Sequence, residues 1–268
     1  MPALDHIVFN TRDRMDQVAA LFERLGFTVA PRGHHTLGSI NHVIVLGSDY
    51  LELLGYPPGN PPPKRPELAA HPIGLMATVL ATPDADATRA DLLAHGLQPR
   101  PVQSFSRPVD LGNGLVQDAA FRVTRLEPDA VPGTWFYYCQ HLTRDLVWRQ
   151  EWQAHANGAT AMSDLDITIP DLVSALPLYR ACMLAEKPET LGGSASSAII
   201  SFQGCNLHLR QAAGPARMLG LTFRVASIKS VASVLQRASI AFDRTSESLL
   251  IDPTATFGAK IQFTALAH

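Results

Sequence analysis

Three features are scarce in this sequence of 268 residues: cysteine, long apolar runs and excess charge of one sign. The three cysteines, Cys139, Cys182 and Cys205, are widely spaced, which argues against a disulfide framework and against a zinc ribbon. The formal net charge of −2 gives no basic face for nucleic acid and no polybasic segment for a membrane surface. The chain shows no signal-peptide pattern at its start and no apolar run of about 18 residues that could span a membrane. We therefore expect a cytoplasmic protein whose partner is a small molecule.

A pattern of one strand, one helix and three further strands recurs four times along the chain. In the first copy, an apolar run at residues 4–9 precedes apolar residues at helical spacing, and Gly26 stands where that helix is expected to end. Three short β-like runs follow, before a proline-rich stretch at residues 56–66 that predicts a linker or a surface loop. The same order of elements returns from about residues 73, 160 and 219.

A repeated β-α-β-β-β unit has a simple physical reason to pair. One helix covers only one face of its four-stranded sheet, so two units must combine to enclose the other face. We predict an α+β fold in which the four units pair into curved, open-barrel sheets with the helices outside. Residues 1–150 then form one pair of units and residues 151–268 the second pair. The enclosed concave face is the natural place for a small ligand.

Three stretches carry a family resemblance. They are LDHIVFNT at residues 4–11, RLGFTVAPRGHHTLGSINHVIVLGSDYLELLGY at residues 24–56, and YCQHLTRDLVWRQEWQAHANGA at residues 138–159. The sequence resembles the vicinal-oxygen-chelate superfamily, which includes glyoxalase I, extradiol dioxygenases and bleomycin-resistance proteins, and more narrowly its glyoxalase-like domain proteins. The resemblance is close over residues 1–160 and only architectural beyond. It implies the fold and a groove that in many relatives holds a divalent metal ion, and it leaves the substrate open.

The resemblance also implies where metal ligands stand, on the first and last strands of a unit and pointing into the groove. The matching residues here are His6 and Glu52, whose imidazole and carboxylate suit Zn, Fe(II), Mn or Ni. Strand alternation is expected to put His6 on the groove side together with Leu4 and Val8, and Asp5 on the helix side.

The second unit has no histidine at the matching place on its first strand, so its last strand must supply a further ligand. Gln140 and His141 are adjacent there and therefore face opposite sides of the sheet. An inward His141 would complete a set of two histidines and one carboxylate, whereas an inward Gln140 would give a glutamine-containing set. We take His141 as the expected ligand, with Gln140 as the alternative.

In the third and fourth units the matching places hold residues that do not form a full ligand set. They are Asp164 or Asp166, His208, Thr222 and Gln262. The site of the second half is therefore expected to be degenerate.

Polar residues also crowd into RGHHTLGSINH at residues 32–42. If the following GSD, residues 47–49, is a three-residue turn, His42 lies on the face of Glu52, whereas a two-residue turn sends it to the other face. We expect Glu52 and His42 to be catalytic, with His42 as a ligand or general base. Arg32, His35 and Asn41 are expected to bind the substrate, Arg32 through an anionic group.

Two functional hypotheses follow, and a homodimer is compatible with both. The first is a metal-dependent lyase, isomerase or dioxygenase, in which the ion chelates two neighbouring oxygens of a small substrate. The second is a metal-free binding or resistance-type protein, in which the groove holds its ligand and His6 only donates or accepts a hydrogen bond. The sequence has neither the G-x-S-x-G elbow of serine hydrolases nor a phosphate-binding glycine loop.

Overall fold

The computed structural model describes residues 2–59, 64–112, 114–184, 190–194 and 196–265. The first half contains β1 (Leu4–Arg12), α1 (Met15–Arg24), β2 (Gly33–His34), β3 (Ile40–Val45), β4 (Tyr50–Gly55), α2 (Glu67–Ala70), β5 (Gly74–Ala81), α3 (Ala85–Ala94), β6 (Gln103–Asp110), β7 (Val116–Arg125) and β8 (Trp135–His141). The second half contains β9 (Ala159–Ile169), α4 (Leu172–Cys182), β10 (Thr190–Ser194), β11 (Ser197–Phe202), β12 (Cys205–Gln211), β13 (Arg217–Val225), α5 (Ile228–Arg237), β14 (Asp243–Arg244), β15 (Ser248–Ile251) and β16 (Lys260–Ala265).

The described strands form two eight-stranded sheets with the same topology. The first has the order β2-β3-β4-β1-β5-β8-β7-β6, and the second has the order β10-β11-β12-β9-β13-β16-β15-β14. In each sheet the first strands of two units pair antiparallel at the centre, β1 with β5 and β9 with β13. The predicted α+β fold of four paired β-α-β-β-β units is confirmed, while the boundary at residue 150 stays a prediction.

Apolar side chains form two cores, one on each face of the first sheet. On the helix side, Ile7 and Phe9 pack with the apolar face of α1. This core continues into the second half, where the rings of Phe27 and Phe223 stand 4.8 Å apart. On the inner face, Val8 belongs to a separate core that is confined to the first sheet and the segments covering it. The two halves are therefore joined through their helix-side faces.

Helix α1 ends at a glycine that also lies where the two halves touch. Its buried residues Met15, Val18 and Phe22 recur at the spacing of one helix face. Gly26 follows with a φ of +87°, a conformation that favours glycine. A Cβ at this position would stand 2.7 Å from Cγ1 of Val234 on α5. The residue thus ends the helix and permits close packing of the halves.

Strand β1 contains a bulge at Asp5, which corrects the predicted facing of its first residues. Leu4 pairs with Leu80 and His6 with Val79, so one extra residue lies between two consecutive pairs. As a result, Leu4 joins the helix-side core, and Asp5 shares the inner face with His6. The expectation that Leu4 faces the groove and Asp5 the helix was wrong, because simple alternation does not account for the inserted residue.

The turn between β3 and β4 contains two residues, which decides the position of His42. The Leu46 N–H donates to the Asp49 carbonyl oxygen at 2.9 Å, and Val43 stands opposite Glu52. His42 is therefore paired with Leu53 and lies on the face away from Glu52. The three-residue turn, and with it the placement of His42 beside Glu52, was wrong.

The first sheet curls until its edge strands meet. The Thr36 N–H, just after β2, donates to the carbonyl oxygen of Ser106 on β6 at 3.1 Å. This contact makes a nearly closed barrel whose inner face is removed from water. In the second sheet, by contrast, Asp164, Asp166 and His208 are only partly buried.

Candidate functional site

A small cavity lies inside the barrel of the first sheet. Its volume is about 20 Å³, and polar side chains from β1, β3, β4, β6, β7 and β8 line it together with residues of connecting segments. Among the lining residues are His6, His35, Asn41, Glu52 and Tyr137. The cavity admits a group of only a few atoms in this conformation.

His6 is held by a carboxylate on one side and faces a second carboxylate on the other. Its Nδ1 stands 2.6 Å from Oδ1 of Asp5, and its Nε2 stands 3.7 Å from Oε2 of Glu52. Burial alone would raise the pKa of Asp5, but the neighbouring His141 and His6 hold it well below its usual value. An ionised Asp5 accepts the Nδ1 proton of His6, which leaves the Nε2 lone pair directed at Glu52.

Glu52 is positioned by an amide and faces a second imidazole. Nδ2 of Asn41 donates to its Oε1 at 2.7 Å, and Nε2 of His35 stands 4.0 Å from the same oxygen. Burial would raise the pKa of Glu52, yet His6, His35, the Asn41 hydrogen bond and Arg65 together lower it. Glu52 is therefore a carboxylate at neutral pH, and its Oε2 faces His6.

His35 is a neutral imidazole at neutral pH. Burial and three nearby arginines lower its pKa to about 4, although Glu52 opposes the shift. Its Nδ1 stands 3.0 Å from the Ser39 hydroxyl. The sequence prediction that His35 and Asn41 belong to the site is consistent with their place in the cavity wall, and their role in binding substrate stays a prediction.

Three buried arginines line the same cavity, and the sequence analysis did not find them. Arg65 precedes α2, Arg107 lies on β6 and Arg125 ends β7. Arg65 pairs with Glu67, while Arg125 donates from Nη1 to Gln103 at 2.7 Å. Alternation along β6 and β7 was the available signal, but it becomes informative only once the barrel shows which face points inward.

The donor atoms of His6 and Glu52 suit a divalent metal ion. Two ligand atoms that each stand about 2.1 Å from one ion are about 3–3.5 Å apart. The observed 3.7 Å between Nε2 of His6 and Oε2 of Glu52 is close to that separation. Asp5 supplies the carboxylate that usually orients a metal-binding histidine through its other ring nitrogen.

Other predicted site residues lie elsewhere. Nε2 of His141 stands 3.0 Å from Oδ1 of Asp5, and His141 is not among the described residues that line the cavity. Gln140 binds the backbone at the start of α3, donating to the Pro83 carbonyl oxygen at 2.7 Å, so it points away. Of the two, His141 is on the inner side, but it contacts Asp5 rather than the cavity.

Arg32 and His42 form a separate pair outside the barrel. Nε of Arg32 donates to Nε2 of His42 at 3.3 Å, and Arg32 also pairs with Asp16. The Nδ1 of His42 stands 2.7 Å from the Ala30 carbonyl oxygen. The expected catalytic role of His42 and the expected substrate contact of Arg32 therefore lose their structural basis.

Within the described part of the chain, one trio has three metal-ligating groups within 4.8 Å of one another: Asp5, Cys139 and His141. The Cys139 thiol is buried, and burial raises its pKa well above the usual value. Asp5 is already engaged by both His6 and His141. This trio is a second candidate metal site, in which Asp5 would have to exchange its contact with His6 for an ion.

The second unit lacks counterparts of the two candidate ligands. The β1–β5 pairing relates His6 to Ala77 by an approximate twofold axis, and the pairings of β4 and β8 relate Glu52 to Tyr137. The Tyr137 hydroxyl stands 3.5 Å from Nε2 of His6. The cavity is thus asymmetric, with ionisable donors from the first unit facing a phenol from the second.

Fold and cavity together define a protein of the vicinal-oxygen-chelate superfamily. The model of the glyoxalase-like domain family matches residues 4–182. That match covers more than half of the sequence, and the chain belongs to this family. No curated protein matches the sequence.

Solved structures with the same fold are distant in sequence. A hypothetical protein from Staphylococcus aureus is 12% identical with a TM-score of 0.72, and the match covers 99% of this chain and 100% of that one. A xylose isomerase-like TIM barrel/4-hydroxyphenylpyruvate dioxygenase fusion protein is 16% identical with a TM-score of 0.61, over 98% of this chain and 49% of that one. A mutant 4-hydroxymandelate synthase from Streptomyces coelicolor is 13% identical with a TM-score of 0.56, over 99% and 93% of the two chains. These likenesses establish the fold alone. Among the described helices, none is long and apolar enough to cross a membrane.

Proposed function

We propose that the protein is a metal-dependent enzyme of glyoxalase-like type, acting on a small substrate through two neighbouring oxygens. The reaction class is a lyase, an isomerase or a dioxygenase reaction. The observation that carries the proposal is the pair formed by Nε2 of His6 and Oε2 of Glu52, which face each other at 3.7 Å inside the cavity. Both atoms are hydrogen-bond acceptors, so they have no favourable contact with each other unless a cation lies between them.

His6 and Glu52 would hold the ion, which is Zn, Fe(II), Mn or Ni in this proposal. His35 does not complete a compact set of three ligands, because its Nε2 stands 4.0 Å from Oε1 of Glu52, whereas His6 faces Oε2. A divalent ion bound there supplies Lewis acidity to oxygens of the substrate. Asp5 and Asn41 act as positioning residues for His6 and Glu52.

The residues around the ion-binding pair suit a proton transfer in a dry site. Glu52 is ionised and buried, so it can accept a proton from a bound substrate. Burial raises the pKa of Tyr137 well above its usual value, which keeps its hydroxyl a hydrogen-bond donor. Its position near His6 allows it to bind an oxygen of the substrate.

Metal titration of untagged protein tests the proposal. We expect about one divalent ion per chain, and an affinity at least 100-fold lower for Glu52→Gln, which keeps the shape of the side chain but loses its charge. Asp164→Asn is the matched control, since this carboxylate faces a histidine in the second sheet at 2.7 Å. Absence of binding with Zn, Fe(II), Mn and Ni would contradict the proposal, and equal affinities of the two variants would contradict the assigned site.

A metal-free binding protein is the second candidate. The excess of arginine over carboxylate in the cavity wall favours it, because three guanidinium groups oppose the entry of a cation. In that case His6 would keep its hydrogen bond with Asp5, and the cavity would bind its ligand without transforming it. The metal titration separates the two candidates.

A further inference from the structure

The cavity holds more positive charge than its own carboxylate can balance. Arg65, Arg107 and Arg125 line it together with one acidic residue, Glu52. All three arginines are at least nine-tenths buried. Glu67 neutralises Arg65 from outside the lining, and the buried Asp5 is engaged by His6 and His141, so Glu52 is the carboxylate that remains for Arg107 and Arg125. Buried charges are normally paired, so the excess calls for an anionic partner.

Arg107 is the clearest case. It is 4% exposed, and among the described residues its guanidinium forms no hydrogen bond or salt bridge, although Glu52 interacts with it at longer range. Burial lowers the pKa of Arg107, and the nearby Tyr50 and Glu52 oppose this shift without cancelling it. Space for it is provided by Gly33, where an added Cβ would stand 2.8 Å from Cδ of Arg107. The fold therefore accommodates a charged group that it does not neutralise.

Arg125 lines both the cavity and a larger recess. Its Nε is buried with no partner among the described groups, and its guanidinium carbon lies 5.3 Å from the ring centroid of Tyr137. The outer recess has a volume of about 530 Å³, and its lining includes Lys64 and Arg100 as well as Arg125. Arg125 is therefore common to the walls of the cavity and of a basic recess.

We infer that the ligand of this cavity carries an oxyanion, a carboxylate or a phosphoryl group, which Arg107 and Arg125 bind opposite His6 and Glu52. Guanidinium groups recognise both kinds of oxyanion through paired hydrogen bonds, which accounts for arginine rather than lysine at these positions. The inference deepens the proposed function, and it rests on that function where it calls the anion a substrate. The binding of the anion by Arg107 and Arg125 is independent of the proposed function.

The metal ion and the anion are then coupled. The arginines lower the affinity for a cation, and a bound anion removes part of that repulsion. An anion should accordingly raise the affinity for the ion, and the ion should raise the affinity for the anion by the same factor. The metal ion and the substrate would each bind more tightly in the presence of the other.

Isothermal titration calorimetry of the full chain, stripped of metal, tests the inference. The probes are glycolate, inorganic phosphate and the uncharged glycolamide. We expect glycolate or phosphate to bind and glycolamide to fail, with affinity for the anion at least tenfold lower in Arg107→Gln. The matched control is Arg122→Gln on the same strand as Arg125, because Arg122 is partly exposed and already pairs with Asp86 at 2.7 Å. Its affinity should remain within twofold of the wild type.

The possible outcomes are distinct. Tighter binding of glycolate assigns a carboxylate ligand, and tighter binding of phosphate assigns a phosphoryl ligand; either supports the inference. Failure of both anions with the wild type, or equal affinities of Arg107→Gln and wild type, overturns it. If Arg107→Gln does not fold, Arg125→Gln is read in the same way. Metal binding without anion binding overturns this inference alone, whereas anion binding without metal binding overturns the metal-dependent function alone.

Discussion

The two sheets have the same topology but treat their charged residues in opposite ways. In the second sheet the charges are partly exposed and paired with each other: His208 with Asp164 at 2.7 Å, and Lys260 with Asp166 at 3.3 Å. In the first sheet the charges are buried, and the arginines outnumber the acids that face them. Charged residues that pair with each other require no charged ligand, whereas buried charges without a partner of opposite sign favour the binding of one. The comparison supports the proposal that the binding site lies in the first sheet.

The largest expected effect concerns Asp49, at the tip of the β3–β4 turn against the second sheet. Burial raises its pKa to about 7, although hydrogen bonds from Met162 and Ser48 oppose the shift. The folded state therefore holds the proton that the unfolded state releases above about pH 4, so stability is present at low pH and lost as the pH rises through 7. We expect a loss of about 3 kcal/mol between pH 5 and pH 8 in urea unfolding.

Asp49→Asn should remove that pH-dependent loss, since an amide can still accept the hydrogen bond from the Met162 N–H. Comparing how the free energy of unfolding changes with pH in the wild type and in the variant separates the effect of Asp49 from that of other titrating groups. Parallel slopes would show that the contact between the halves is not sensitive to the ionisation of this carboxyl.

The next effect tests whether Asp5 positions His6. Asp5→Asn should lower the affinity for a divalent ion about 10–100-fold, because the amide no longer fixes the tautomer of the ligand. Calorimetric metal titration measures the change, with Asp164→Asn as the counterpart in the second sheet. A larger effect of Cys139→Ser than of Glu52→Gln would instead assign the ion to Asp5, Cys139 and His141.

A smaller effect, of opposite sign, is expected at Arg107. Arg107→Met should stabilise the anion-free protein by about 1–3 kcal/mol, because it removes a buried charge without a partner. Thermal or urea unfolding in an anion-poor buffer measures it. Arg210→Met on the exposed side of the second sheet is the control and should change stability by less than about 0.5 kcal/mol. A destabilised Arg107→Met would mean that this charge is already balanced within the fold.

The smallest effect belongs to the paired residues of the second sheet. His208→Ala should cost roughly 0.2–1 kcal/mol, as is usual for an ion pair open to water. Asp164 raises the pKa of His208, so this contribution is present below about pH 6.5 and is lost as the pH rises through the raised pKa. Urea unfolding at pH 6 and pH 9 measures it. A cost of several kcal/mol would break the comparison between the two sheets.

The sequence predicted the fold and part of the site for identifiable physical reasons. Apolar periodicity was enough for the four units, and the resemblance pointed to His6 and Glu52, which both line the cavity and whose role as ligands stays a prediction. The bulge at Asp5 and the two-residue turn before Asp49 were not predictable, because each depends on one residue of register that leaves the apolar pattern almost unchanged.

The three arginines escaped prediction for another reason. Arg65 stands in a proline-rich stretch that was interpreted as a linker, part of which lies outside the described residues. Arg107 and Arg125 lie on strands whose inward face is fixed only when β2 meets β6. Their place in the cavity wall depends on barrel closure, a long-range property that local patterns do not contain.

Gly26 carries two requirements at once. A side chain there would meet a positive φ of +87° and, at 2.7 Å, a methyl group of Val234 in the other half. Because Gly26 has no side chain, α1 can end at this position and the two halves can pack closely together. A substitution of Gly26 would therefore disturb both the end of α1 and the packing against the fourth unit. Gly26 itself lies on the inner face of neither sheet.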